Sequence, residues 1–237
     1  MLMKLKKELR SLANREQAEI LQRFFKTGKG EYGEGDIFLG LSSQQIRNVA
    51  KKFHDLKLND IQELLKSKIH TERTCALRIL VHQYNKAKDM DEKKKIFYFY
   101  LNNTTKINNW DLVDISAWHI VGRFLLEDYS KKEILYKLAQ SKNLWEKRIS
   151  IVSTYAFIRE NKFDDTLAIS EILLDDSHDL IHKAVGWMLR EVGKRNEKIL
   201  EEFLKKNYSG LPRTTLRYAI EKFPEDKRKR FLRGEFR

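Results

Sequence analysis

The chain has 237 residues, Lys+Arg 47 against Asp+Glu 34 for a formal net charge of +13, two prolines and one cysteine. With 41% hydrophobic and 11% aromatic residues it can bury a core, which argues against disorder. The single cysteine, Cys75, excludes an intramolecular disulfide and a cysteine-built metal site, and RTCALRIL around it reads as a buried helical position.

The opening MLMKLKKELRS is too densely charged for a signal peptide, and no apolar run is long enough to span a bilayer, so a cytoplasmic protein without a membrane partner is expected. Prolines occur only at Pro212 and Pro224, and Leu, Ile, Lys and Glu dominate, which predicts an all-α chain. Periodicity predicts an amphipathic helix over residues 3–26. Five of the ten glycines then fall in residues 28–40, TGKGEYGEGDIFLG. No strand precedes this stretch and it lacks the Lys-Ser/Thr ending of a phosphate-cradling loop, so it reads as a structural loop.

From Ser42 onward, amphipathic pieces follow one another: SSQQIRNVAKKF, LNDIQELLKS, TERTCALRILVHQYNKA, DEKKKIFYFYLNN, NNWDLVDISAWHIVGRFLLE, SKKEILYKLAQ, LWEKRISIVSTYAFIRE, DDTLAISEILLDD, HDLIHKAVGWMLREVGKR, EKILEEFLKKN and PRTTLRYAIEKF. Aligning the second helix of each pair puts Arg73, Asp114, Arg148, Lys183 and Arg213 in register, at spacings of 41, 34, 35 and 30. Such periods approach those of two-helix repeats of the HEAT type. The expected architecture is a right-handed α-solenoid of HEAT-like helix pairs with a concave basic groove. It forms one domain over 1–237, with the N-terminal helix and glycine-rich loop in 1–41 and the repeats in 42–237.

The charge is unevenly spread. Residues 1–29 hold eight basic and three acidic side chains, residues 205–237 eleven and four, and the stretch between them 28 and 27. Basic ends attract a polyanion, and the repeat register would gather Arg73, Arg148, Lys183 and Arg213 on an inner surface, with Arg190 and Arg217 as further DNA-contacting candidates.

Asp114 is the exception in that cationic line. Trp110 and Asp114 are four apart and share a helix face, as do Lys183 and Trp187, with Arg148 on the repeat between them. Trp118 and Trp145 are assigned to the core. A lone carboxylate suits poorly the ordinary hydrolysis of a glycoside, which uses two. One suffices when the leaving group is already a cation, as an N3- or N7-alkylated purine is, because the base departs neutral and only the sugar's developing charge needs stabilising. Indole faces add about 0.5–2 kcal/mol each by cation–π attraction, and Arg148 would grip a backbone phosphate.

The histidines at 54, 70, 82, 119, 178 and 182 show no metal-ligand spacing. His182 is expected to face DNA or cap a helix start. The C-terminal EDKRKRFLRGEFR reads equally as a surface helix, a phosphate-contacting end or a basic tail.

The segments NNWDLVDISAWHIVG, LWEKRISIVSTYAFIR, HDLIHKAVGWMLREVGKR and LPRTTLRYAIEKFP resemble the AlkD-like DNA alkylation repair glycosylases, HEAT-like repeat proteins, and the resemblance runs from FLGLSSQQIRNVAKKF to KRKRFL. It implies excision of 3-methyladenine and 7-methylguanine from double-stranded DNA, in base excision repair, by a monomer without metal or organic cofactor. That protein would be cytoplasmic and nucleoid-associated when acting. By motif match the resemblance places the catalytic aspartate on Asp114, the sugar-facing tryptophans on Trp110 and Trp187, and the phosphate-contacting arginine on Arg148. It further implies action without a deep base-binding pocket. Some members carry a tyrosine in the N-terminal helix where this chain reads RFFK, with Phe24 and Phe25, which leaves open whether Tyr32 substitutes. No lysine is placed as a Schiff-base nucleophile, so monofunctional hydrolysis is expected. The alternatives are a non-catalytic relative that binds distorted or branched DNA and a protein-binding scaffold.

Overall fold

A computed structural model describes residues 1–236. The described residues form helices and no strand ladder, with one isolated parallel bridge between Ile37 and Ile69. None of these helices is long and apolar enough to cross a membrane. The chain forms two compact units, Met1–Ser116 and the stretch from Ala117 onward.

The first unit holds α1 (Leu2–Ser11), α2 (Arg15–Phe24), α3 (Ser43–Lys52), α4 (Leu58–Leu65), α5 (His70–Lys86), α6 (Met90–Leu101) and α7 (Trp110–Asp114). The single helix expected over 3–26 is in fact two. Asn14 is extended, its side chain accepts from the Gln17 N–H to cap α2, and its own N–H donates to the Leu39 carbonyl at 2.9 Å. A cap of this kind satisfies a donor that an uninterrupted helix would have paired internally, so the chain turns there. A capping box between Ser42 and Gln45 starts α3.

Helix α5 is buried along most of its length and packs on α3 and α4; Leu77, Ile79 and Leu80 of α5, Val49 of α3 and Ile61 and Leu64 of α4 are all buried. Cys75 sits in this helix with no exposure, and burial pushes its thiol up to about 12, so it stays protonated and inert.

The second unit begins with a wide π-type turn over Trp118–Gly122 that runs into α8 (Arg123–Glu127). It continues through α9 (Glu133–Ala139), α10 (Leu144–Ser153), α11 (Tyr155–Arg159), α12 (Asp164–Leu173), α13 (Asp179–Arg195), α14 (Glu197–Asn207), α15 (Arg213–Ala219) and α16 (Glu225–Arg233). Its core gathers Ile149, Val152, Phe157, Ile181, Val185, Leu189, Leu204 and Leu216. Asp165 at the start of α12 accepts from the hydroxyls of Tyr129 and Tyr136, each at 2.6 Å, which ties α12 to α9 and the turn before it.

Helices α13 and α15 pack closely because Gly186 has no side chain. A Cβ there would lie 2.5 Å from the Tyr218 Cβ and 2.7 Å from the Thr215 carbonyl oxygen. The stretch EDKRKRFLRGEFR, open in its sequence reading, supplies α16, which buries Phe231 and ends on Gly234 in the left-handed region.

Two sequence pieces that read as single helices are broken, and each break falls at a Ser or Thr bonded back to its own helix. Ser116 Oγ donates to the Leu112 carbonyl just after α7, and Thr154 Oγ1 donates to the Ile151 carbonyl between α10 and α11. Such back-bonding competes with the helical ladder and bends it. The repeat register holds at three of its five positions. Asp114, Arg148 and Lys183 are each the fifth residue of α7, α10 and α13, Arg73 is the fourth of α5 and Arg213 the first of α15.

Candidate functional site

In the first unit the candidate residues sit on α7, a helix of only five residues. Asn109 caps it, its side chain accepting from the Trp110 N–H at 2.8 Å. Trp110 opens the helix and Asp114 closes it, so the two share one face about one turn (~5.4 Å) apart. Both are half-buried.

Aromatic side chains fix Trp110 from one side. Phe25 stacks on the indole at 5.1 Å between centroids with planes 14° apart, and Phe24 meets it edge-on at 5.9 Å. The stack extends from Phe25 to Phe38 at 4.8 Å and from Phe38 to His70 at 4.3 Å. His70 Nε2 then lies 2.9 Å from Asp111 Oδ1, back on α7. Asp111 is thus engaged by a buried histidine, and the carboxylate on the face of Trp110 is Asp114. The indole N–H of Trp110 donates to the Tyr32 hydroxyl at 3.2 Å. Phe24 remains 61% exposed beside this cluster, an apolar ring presented to solvent.

In the second unit, Trp187 lies on α13 four residues after Lys183, with the Tyr155 ring 6.3 Å away. Tyr155 meets Trp118 edge-on at 5.3 Å, and the Arg159 guanidinium lies 5.5 Å from the centre of the Trp118 ring. Trp118 is therefore half-buried in an aromatic row and not in the core as its sequence position suggested, whereas Trp145 is buried as expected. The row Trp118–Tyr155–Trp187 was not legible in the sequence, because Tyr155 follows the bend at Thr154 that periodicity does not reveal.

The cations divide into two kinds. Arg73 is 3% exposed and both carboxylate oxygens of Asp36 bind its guanidinium at 2.7 Å, while it also donates to the Ser67 carbonyl. This placement corrects the expectation of a groove-facing Arg73: its charge is neutralised inside the first unit. Arg148 is 5% exposed and donates to the Leu180 carbonyl at 2.6 Å, so it ties α10 to the first turn of α13 and offers little surface for a direct phosphate grip.

Lys183 pairs with Asp179 at 2.7 Å and stays partly exposed. Arg190 pairs with Glu221. Arg213 and Arg217 are exposed on α15, Arg213 donating to the Leu232 carbonyl. The cap on α13 is His178, whose Nδ1 accepts from the Leu180 N–H at 3.1 Å; of the two roles expected for His182 this corrects the helix cap, since its ring meets the Asp176 carbonyl. Among the described residues no group of three or more His, Cys, Asp or Glu side chains could hold a metal ion.

Chemically, the first unit offers one carboxylate beside a braced indole, and the second an indole beside a partly exposed lysine. On the second face Lys183 is paired with Asp179, one turn before it on α13.

The family model described as DNA alkylation repair enzyme matches residues 5–223. No curated protein matches the chain. Among solved structures it is similar to a predicted DNA alkylation repair enzyme from Enterococcus faecalis, with a TM-score of 0.70 and 15% identity over 90% of this chain and 97% of that one. It is also similar to AlkD2 from Streptococcus mutans, with a TM-score of 0.57 and 17% identity over 94% and 97% of the two chains. At these identities the likeness is one of fold.

Proposed function

The chain belongs to the DNA alkylation repair enzyme family, and from that premise we propose that it is a monofunctional DNA glycosylase hydrolysing the N-glycosidic bond of cationic alkylated purines in duplex DNA. The observation that carries the reading is the geometry of α7. A single carboxylate, Asp114, closes a short helix on the face opened by a braced indole, while its acidic neighbour Asp111 is engaged by His70.

The reaction needs no acid to protonate the leaving group. As the C1′–N bond lengthens, its electron pair returns to the alkylated ring, which leaves as a neutral base. The positive charge passes to the sugar, where the Asp114 carboxylate stabilises it electrostatically. A water oxygen then bonds to C1′, and its proton passes through the carboxylate to solvent, leaving an abasic site and a free purine. Trp110, on the helix that carries Asp114, offers a ring face to the cationic sugar. Arg148 serves the reaction by holding the first turn of α13, and Lys183, Arg190, Arg213 and Arg217 take backbone phosphates without reading sequence.

The test is release of free methylated purine from alkylated duplex DNA. Wild type should release 3-methyladenine and 7-methylguanine. Asp114→Asn, which keeps size and fold, should lose at least about 10²-fold, as when a main electrostatic contact to a transition state is removed. Unchanged release by the variant would remove Asp114 from the reaction. Tight binding by wild type with no release would favour a non-catalytic reader of distorted DNA, and negligible DNA affinity at low salt would favour a protein scaffold.

A further inference from the structure

We propose that Tyr32, carried on the glycine-rich segment, is a positioning residue for Trp110, its hydroxyl accepting the indole N–H and fixing which way round the ring lies. The role of Trp110 in the reaction rests on the glycosylase reading above; the hydrogen bond itself does not.

Stacking alone does not orient an indole. Phe25 lies against its face and Phe24 against its edge, and a half-turn about the Cβ–Cγ bond keeps the ring plane that Phe25 stacks on. The two orientations differ in where the one polar atom, Nε1, points. An acceptor placed at one of them selects it, and Tyr32 Oη stands 3.2 Å from Nε1.

The segment is built to hold that acceptor still. Gly33 donates to the Lys26 carbonyl at 3.1 Å, and a Cβ on Gly33 would lie 2.5 Å from the Phe25 carbonyl oxygen, so only glycine lets the segment lie on the end of α2. Lys26 itself is in the left-handed region. The carboxylates of Glu31 and Glu34 accept from the N–H groups of Gly28 and Gly30, each at 2.8 Å, which closes the segment on itself. On its far side Asp36 is buried against Arg73, and Ile37 exchanges backbone bonds with Lys68 and His70. Tyr32 is thereby pinned on both sides in sequence, and Arg73 acquires a purpose as an anchor of this segment. Gly28, Gly30 and Gly33 thus serve a side chain that braces the indole, whereas Gly40 packs on the start of α2.

Tyr32→Phe removes the acceptor and keeps the ring. The Trp110 indole N–H resonance, assigned by its disappearance in Trp110→Phe, should move upfield as the hydrogen bond is lost. Single-turnover release of methylated base should fall about three- to tenfold, the worth of one net hydrogen bond, while affinity for unmodified duplex stays the same. In a Trp110→Phe background the Tyr32→Phe change should have no further effect on release. An unmoved resonance overturns the proposal, as does an unchanged release rate in an active wild type, or an equal loss in the Trp110→Phe background. If wild type releases no base, the glycosylase reading falls and the indole resonance alone still decides whether Tyr32 orients Trp110.

Discussion

The hydroxyl of Tyr100 lies 3.0 Å from Oγ of Ser116, two residues beyond Asp114. Ser116 Oγ donates onward to the Leu112 carbonyl, so the Tyr100 hydroxyl is the donor in the first contact and the relay ends inside α7 itself. Tyr100 is fully buried, and burial pushes its pKa up, with the negative charge of Asp114 pushing the same way. The phenol therefore keeps its proton. A five-residue helix has too few internal bonds to persist alone, and this relay from α6 holds its C-terminal end, where the candidate carboxylate stands.

Tyr100→Phe deletes the first link without orphaning the second, because Ser116 keeps its acceptor. The expected cost is about 1 kcal/mol of stability, or a fall in Tm of roughly 2–4 °C for a chain of this size. Base release should fall by more than the loss of folded protein explains, since the end of α7 loses its tether. Denaturant midpoint and single-turnover release, measured on the same preparation, separate the two effects. A midpoint equal to that of wild type would show that the relay carries no stability.

The helices, their pairing and the i, i+4 faces of Trp110 with Asp114 and Lys183 with Trp187 were legible in the sequence because amphipathic period and side-chain type report them directly. The breaks at Asn14, Ser116 and Thr154 were not, because each depends on one side chain bonding to nearby backbone in place of the helical ladder, which leaves the apolar pattern intact. The fate of the arginines was equally hidden. Arg73 and Arg217 both occupy basic positions in the first five residues of a helix, and only the presence of Asp36 from a distant loop makes one of them an interior ion pair.

That difference separates the two arginines experimentally. Arg73→Ala leaves the Asp36 carboxylate buried without its partner, which should cost about 3–5 kcal/mol and lower the denaturant midpoint sharply. Arg217→Ala changes an exposed side chain on α15 and should leave stability within about 0.5 kcal/mol. Its effect belongs in the salt dependence of DNA binding, where the slope of log K against log salt should become shallower by about 0.9 for one lost phosphate contact. Titrations on unmodified duplex at several salt concentrations read that slope. A stable Arg73→Ala with a shallower slope would return Arg73 to the DNA-contacting cations.

Stability should also fall with pH in two distinguishable stages, both at the start of α13. Burial holds the His178 pKa below its ordinary 6.5, against the opposing pull of Asp176 and Asp179. Between the folded value and 6.5 the unfolded chain therefore binds more protons than the native one, so stability rises with pH there and is lost on acidification. Protonation also removes the Nδ1 lone pair that caps α13. Asp179 acts in the same sense at lower pH: the bond from Lys183 holds its pKa below 3.8, with burial resisting, so its contribution is present above 3.8 and lost as pH falls through the depressed value. His178→Asn keeps a competent cap and removes the titration. Denaturant midpoints from pH 8 to pH 3 should then decline less in the first stage, with a remainder from His82, whose pKa burial also lowers, while the acid stage, which Asp179 shares with Asp176, Glu63, Glu171, Glu201 and Glu221, persists. An unaltered first stage in His178→Asn would show that the cap does not titrate with folding.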